Sequence, residues 1–338
     1  GLPLFGQQQL DSWLQMCREV IVPAFDITPE LLTHTFVLDL NTLRPLPSRI
    51  WEQYEWQEFS EDEAALVTDY ITLACQILAN VGLPPEGVTS PGGFGGKVLP
   101  RYARITGEAV RRVTGNLVPY FFKRVSSQGP VETPVWYADR ETGTAVGEII
   151  ASVGDWTGSW TGYGEAEADR YITADLQGGR LPEVIDAGDP CVLVSHWQGF
   201  YGMHDGDRRG FRTLQTVAER LRARDPHGEH TQWRKTSEIT TYACAREMAS
   251  MAITGQAAGD AADQVSICLD LPVQTPDFTL RVRGLLGRQV REVRWDGQPL
   301  TAATTGREFR SGTFWQQGDD LLIAFDPKGR TSTVELPI

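Results

Sequence analysis

Lysine is scarce in this chain of 338 residues: only four of its 31 basic residues are lysines, and 44 acidic residues leave a net charge of −13. A nucleic-acid partner needs a basic surface to meet phosphate, so this balance excludes that class. The preference for arginine reads as genomic bias, and the acid, spread along the chain, confers solubility. Long apolar runs are also missing, which excludes a membrane-spanning helix. The five cysteines (17, 75, 191, 244 and 268) are odd in number, sit in apolar segments and include no C-x-x-C pair. They read as free, buried thiols, neither a disulfide framework nor a zinc knuckle. Together with the lack of a signal-peptide pattern in "GLPLFGQQQL", they predict a cytoplasmic protein.

What is present is ordinary for a globular protein, with 41% apolar and 22% charged residues. The length suits one large domain plus a small one. Leu10, Trp13, Leu14 and Cys17 follow helical spacing and predict an amphipathic helix over 7–21. "THTFVLDL" (33–40) reads as a β-rich run. Ser60-Glu61-Asp62-Glu63 is a capping box ahead of a helix to about 80, stopped by Gly82 and Pro84. Further helices are predicted near 98–113, 210–223 and from the cap Ser237 to about 252. Strands are predicted at 87–91, 117–122, 133–139, 147–156 and at "PCVLVSHW". Such alternation means a parallel sheet or barrel with helices outside, whose chemistry sits where strand C-termini open into loops. Beyond the small-residue stretch "GQAAGDAAD" (255–263) the pattern becomes short alternating segments with turns such as Asp296-Gly297, which predicts an antiparallel β-sandwich.

The stretch "DPCVLVSHWQGFYGMHDGD" (189–207) holds two of only five histidines. A strand that ends in His196-Trp197 and opens into glycines suits a site in which a ligand approaches the backbone. Histidine is the side chain best suited to acid–base work near neutral pH. The competing reading has His196 packed under Trp197. Asp155 closes "IIASVGD" and is either a site carboxylate or a turn residue. Glu238 is either a site carboxylate or the first-turn acid of a helix. The ten tryptophans cluster at predicted loops and strand ends, where indole faces suit sugar rings. "SPGGFGG" (90–96) lacks the lysine and the spacing of a nucleotide loop.

In their order, "THTFVLDL", "GVTSPGGFG", "ASVGDW" and "PCVLVSHWQ" resemble motifs two to five of the polysaccharide deacetylase (NodB-like) superfamily, over about 220 residues. The chain looks like a divergent branch with a C-terminal sandwich. The resemblance implies a distorted (β/α) barrel over 1–256, lacking its first strand motif here, and a small all-β sandwich over 264–338. It also implies a carbohydrate-active hydrolase that removes an N- or O-acyl group from a sugar or polysaccharide with a divalent metal such as zinc. On that basis His196, Asp155 and Glu238 are the expected catalytic residues. Trp156, Trp197, Gln198, Tyr201, Trp233 and Phe94 are expected to bind substrate, and His34 and Asp39 to ligate the metal. Leu38 stands where the family's second metal histidine falls, Thr89 replaces the motif-three arginine, and the paired aspartates of motif one have no counterpart before residue 34. The alternatives are a glycoside hydrolase using paired carboxylates and a sugar-binding pseudoenzyme.

Overall fold

In the computed structural model, which describes residues 6–154, 166–196, 199–200, 206–255 and 264–337, local signals and helix boundaries agree closely. Helix α1 (Gln7–Met16) continues as a π-helical turn, Cys17–Ile21, and buries Leu14 and Cys17 against Leu83. After the short α2 (Glu52–Glu55), α3 spans Ala64–Asn80. Its capping box is reciprocal: the Ser60 amide donates to Glu63 Oε2 at 2.8 Å and the Glu63 amide to Ser60 Oγ at 3.3 Å. Helix α4 (Leu99–Thr114) ends at Gly115, whose φ of 76° is the left-handed stop that glycine adopts without strain. The remaining helices are α5 (Arg180–Ala187), α6 (Arg209–Arg224) and α7 (Thr236–Met248). With several sheets, the described chain is a mixed α/β protein of seven α-helices.

The described residues divide into two compact units, one within 1–137, 145–224 and 233–240, the other within 138–144, 225–232 and 241–338. The first unit carries a four-stranded sheet in the order β3 (Gly87–Thr89), β4 (Tyr120–Val125), β6 (Thr144–Ala151), β5 (Val135–Asp139). Strands β3, β4 and β6 run parallel. Past β6, Val153 bridges Leu193 in the same parallel sense. Helices α3 and α4 pack on the sheet through a core containing Ile71, Val88, Tyr102, Ile105, Phe121 and Val146. The run 33–40, expected as a strand, is mostly a loop; Leu38–Asp39 (β1) pairs with Arg44–Pro45 (β2), and Phe36 makes a single antiparallel bridge to Trp51. Its backbone is occupied instead by turns around Thr33 and by the buried Glu52.

The second unit contains a five-stranded sheet, β11 (Gln298–Pro299), β10 (Arg294–Trp295), β15 (Thr331–Pro337), β8 (Gln264–Asp270), β7 (Ser250–Thr254), and a four-stranded one, β12 (Thr301–Ala302), β13 (Thr313–Gln317), β14 (Asp320–Phe325), β9 (Phe278–Val282). Trp295 of one sheet stacks on Phe325 of the other, ring centroids 5.4 Å apart. This unit begins earlier than a boundary at 256–264 allows. The helix expected to reach residue 252 stops at Met248, and Ser250–Thr254 pairs antiparallel with β8. Arg140, far away in sequence, donates to Ser250 Oγ at 3.0 Å and to Asp270 at 2.8 Å. Strand pairing and this arginine outweigh the helical propensity of "AREMASMA".

Candidate functional site

Strand β6 reads Thr-Ala-Val-Gly-Glu-Ile-Ile-Ala, an apolar run with one charge in it, and every one of its residues but Ile150 is buried. A buried carboxylate needs partners, and Glu148 has three donors. Arg124 on β4 gives it two hydrogen bonds, Nε to Oε1 at 2.7 Å and Nη2 to Oε2 at 2.6 Å. Trp136 Nε1 adds a third at 2.8 Å, and the guanidinium carbon stands 5.6 Å from the Trp136 ring centroid.

The β4–β6 register jumps at this point: Phe122 pairs Ile149 and Arg124 pairs Ile150, which leaves Lys123 as the extra residue of a bulge. Lys123 is half-buried, and its Nζ donates to the Gly92 carbonyl at 3.0 Å. A Cβ added to Gly96 would lie 2.8 Å from Lys123 Cε, so the glycine loop leaves room for the lysine stem. Burial pushes the Lys123 ammonium down to about 8, an effect that Glu148 opposes and Arg124 reinforces.

The glycine loop connects this group to the His34 region. Gly93 N donates to Gln53 O at 2.9 Å, and Gln53 Nε2 lies 2.8 Å from His34 O and 3.1 Å from His34 Nδ1. The other ring nitrogen of His34 is 3.3 Å from Glu30. His34 has a φ of 64°, unusual for a side-chain-bearing residue, and its amide is held by Glu52 Oε1 at 2.9 Å. Glu52 is fully buried and also accepts from Tyr70 Oη at 2.5 Å. Burial raises the Glu52 carboxyl above the usual carboxylate range despite these donors, and it raises the Tyr70 phenol as well. His34, Gln53 and Lys123 are thus linked through the backbone of the glycine loop, and Lys123 adjoins the Arg124–Glu148 pair along β4 without bonding to it.

At the end of β6, the buried Arg180 fixes the backbone by donating to Ser152 O at 3.1 Å, Ser126 O at 2.9 Å and Gly129 O at 2.6 Å. Ser152 N meets Val192 O at 2.7 Å, so the chain leading to His196 starts beside the chain leaving β6. His196 itself is exposed. Asp155, Trp156, Trp197, Gln198 and Tyr201 lie outside the described residues.

Glu238 is not part of this group. It is exposed at the first turn of α7, where its Oε2 accepts the Lys235 amide at 2.8 Å, the back half of a capping box. The residues directly ahead of this helix, 231–235, form no strand. The front half of the cap comes from a distance: Asp26 accepts the Ser237 amide at 2.6 Å, Ser237 Oγ at 2.9 Å and Thr236 Oγ1 at 2.7 Å. Tyr120, the first residue of β4, shares Thr236 Oγ1 at 2.7 Å. The start of α7 therefore sits at the N-terminal edge of the sheet, the opposite edge from Lys123 and Arg124.

Phe94, expected to face substrate, is 1% exposed and packs against Trp56, Phe59 and Tyr102. The glycines around it let the loop fold inward and bury the ring. Trp233, by contrast, is 80% exposed. Asp39 turns back on its own chain and accepts the Asn41 and Thr42 amides. With His34 engaged by Glu30 and Gln53, the two residues expected as metal ligands have separate partners. Among the described residues no three His, Cys, Asp or Glu side chains form a group that fits a metal ion.

Lys123, Arg124 and Glu148 stand outside the motifs that the sequence offers. The signal was a lone glutamate in an apolar strand and a Lys-Arg pair after "YFF", both marks of a partnered buried charge. No protein-family model matches the chain, and no curated protein matches it either.

Proposed function

We propose that this protein is a carbohydrate-active hydrolase that removes acyl groups from a sugar or polysaccharide, on a barrel-type unit whose strand C-termini carry the site. One observation carries the reading: Val153 and Leu193 are bridged in parallel, two and three residues ahead of Asp155 and His196 in sequence. Strands β3, β4 and β6 also follow one another side by side in a single direction, an arrangement that (β/α) barrels share with open parallel sheets. In such folds neighbouring strand ends supply the reacting groups. His196 acts as the general acid that protonates the leaving nitrogen or oxygen, which its exposure to the surface permits. Trp197 and Trp156, next to these residues in sequence, offer indole faces for the apolar side of a pyranose.

The test is to incubate the purified full chain with acetylated chito- and xylo-oligosaccharides and to follow acetate and new reducing ends in parallel, with and without a chelator. Acetate without reducing ends is the expected result. His196→Ala should lower that rate by roughly 10² to 10⁴ while the melting midpoint stays unchanged, and His227→Ala, in an exposed loop, should leave both unaltered. Reducing ends without acetate would make the protein a glycoside hydrolase, and binding without either product would make it a sugar-binding protein. Equal losses in the two histidine variants would remove His196 from the chemistry.

A further inference from the structure

We propose that Lys123 is the anchor for a single carboxylate, and that the sugar this site takes is an acidic one, a uronic-acid residue. The sugar part of this inference rests on the hydrolase reading; the carboxylate part rests on the geometry around Lys123.

Three observations carry it. First, the bulge at Lys123 sets two basic residues in succession beside the glycine loop, and bulges of this kind re-aim a side chain that a regular strand would direct elsewhere. Second, the two cations are not equivalent. Arg124 is matched by the buried Glu148, whose carboxylate is already filled by the guanidinium and by Trp136. Among the described residues no carboxylate lies within ion-pair distance of Lys123, and its one hydrogen-bond acceptor is the neutral carbonyl of Gly92. Third, the charge is half-buried, and the acid nearest to it in effect, Glu148, makes its ion pair with Arg124 and not with Lys123. A partly desolvated ammonium without a counter-ion is unfavourable by itself, and a ligand anion removes that cost.

The local charge also sets the ligand's size. Glu148 and Arg124 are the charged groups facing Lys123, and they cancel. One positive charge remains, which matches one carboxylate better than a phosphate dianion. As a point charge with three donors, an ammonium accepts a carboxylate from a range of sugar-ring orientations. The lowered proton affinity of Lys123, near 8, has burial as its main cause, which Glu148 opposes and Arg124 reinforces.

The test uses the intact chain and compares trigalacturonate with its methyl-esterified, uncharged counterpart by titration calorimetry, with inorganic phosphate as a third probe. The expected result is at least roughly 10-fold tighter binding of the acid than of the ester, the scale of one charge-assisted hydrogen bond. That preference should vanish in Lys123→Gln, whose melting curve confirms folding, and should decline as the pH rises through about 8. A lysine that merely braces the Gly92 loop would not move the pH profile. Equal binding of acid and ester, a preference that survives in Lys123→Gln, a flat pH profile, or tighter binding of phosphate than of trigalacturonate would each overturn the proposal. Acetate release is measured separately. A preference for the acid without acetate release leaves the carboxylate site standing and sinks the hydrolase reading, and the converse pair of results does the opposite.

Discussion

Arg124 and Glu148 are joined by two hydrogen bonds, 2.7 and 2.6 Å long, between adjacent parallel strands, and only one of the two is out of water. Glu148 is 0% exposed, whereas the Arg124 side chain is 44% exposed. The arginine thus brings solvent-facing positive charge to a buried carboxylate whose other hydrogen-bond donor, Trp136, is neutral. Removing the arginine alone strands that charge. Arg124→Met should destabilise the fold by about 1 to 3 kcal/mol. Arg124→Met combined with Glu148→Gln should be less destabilised than Arg124→Met alone, because the amide still accepts from Trp136 and leaves no charge behind. Urea denaturation of both variants measures this, and a double variant weaker than the single one would refute it.

Asp26 caps α7 from outside the helix. Asp26→Ala removes three hydrogen bonds from its first turn and should lower stability by about 1 to 2 kcal/mol, the usual scale of a lost N-cap. The same carboxylate acts on Glu86. Burial is the main cause that raises the Glu86 carboxyl above its ordinary value, and the negative charge of Asp26 adds to it. Asp26→Asn should therefore shift the Glu86 titration downward, which carboxyl NMR detects. An unshifted Glu86 would show that burial alone sets its titration.

Glu52 predicts a pH dependence of stability whose sign follows from its raised carboxyl. The folded state holds the Glu52 proton to a higher pH than the unfolded chain does. Its contribution is fully present below the ordinary glutamate value of 4.5, and it is lost as pH rises from there through the raised folded value. Glu52→Gln cannot titrate. The stability of the wild-type chain relative to Glu52→Gln should fall as pH rises above 4.5 and then level off. Chemical denaturation at pH 4, 5.5 and 7 reads the difference; a constant gap would mean that Tyr70 and the His34 amide fully offset the burial of the carboxylate.

The reciprocal Ser60–Glu63 cap, the stop at Gly115 and the alternating strands after residue 264 were all legible in the sequence. Each depends on residues within a few positions of one another, so propensity and spacing alone specify it. The parallel strands were legible as apolar runs for the same reason. Other features were settled only by contacts between distant segments. Residues 250–254 became a strand because β8 offered an edge and Arg140 reached across from another part of the chain. Phe94 turned inward because Trp56, Phe59 and Tyr102 enclosed it, although its glycine-flanked sequence suggests a surface loop. Helix α7 takes its cap from Asp26, some 210 residues earlier, which no local pattern around Ser237 encodes. The Lys123 bulge exists only in the register between β4 and β6, and the burial that gives Lys123 and Glu148 their chemistry exists only once the sheet is covered. The sequence determined which side chains were available. The tertiary structure decided which charges lost their water and which partners they met, because desolvation and long-range pairing are properties of the folded chain alone.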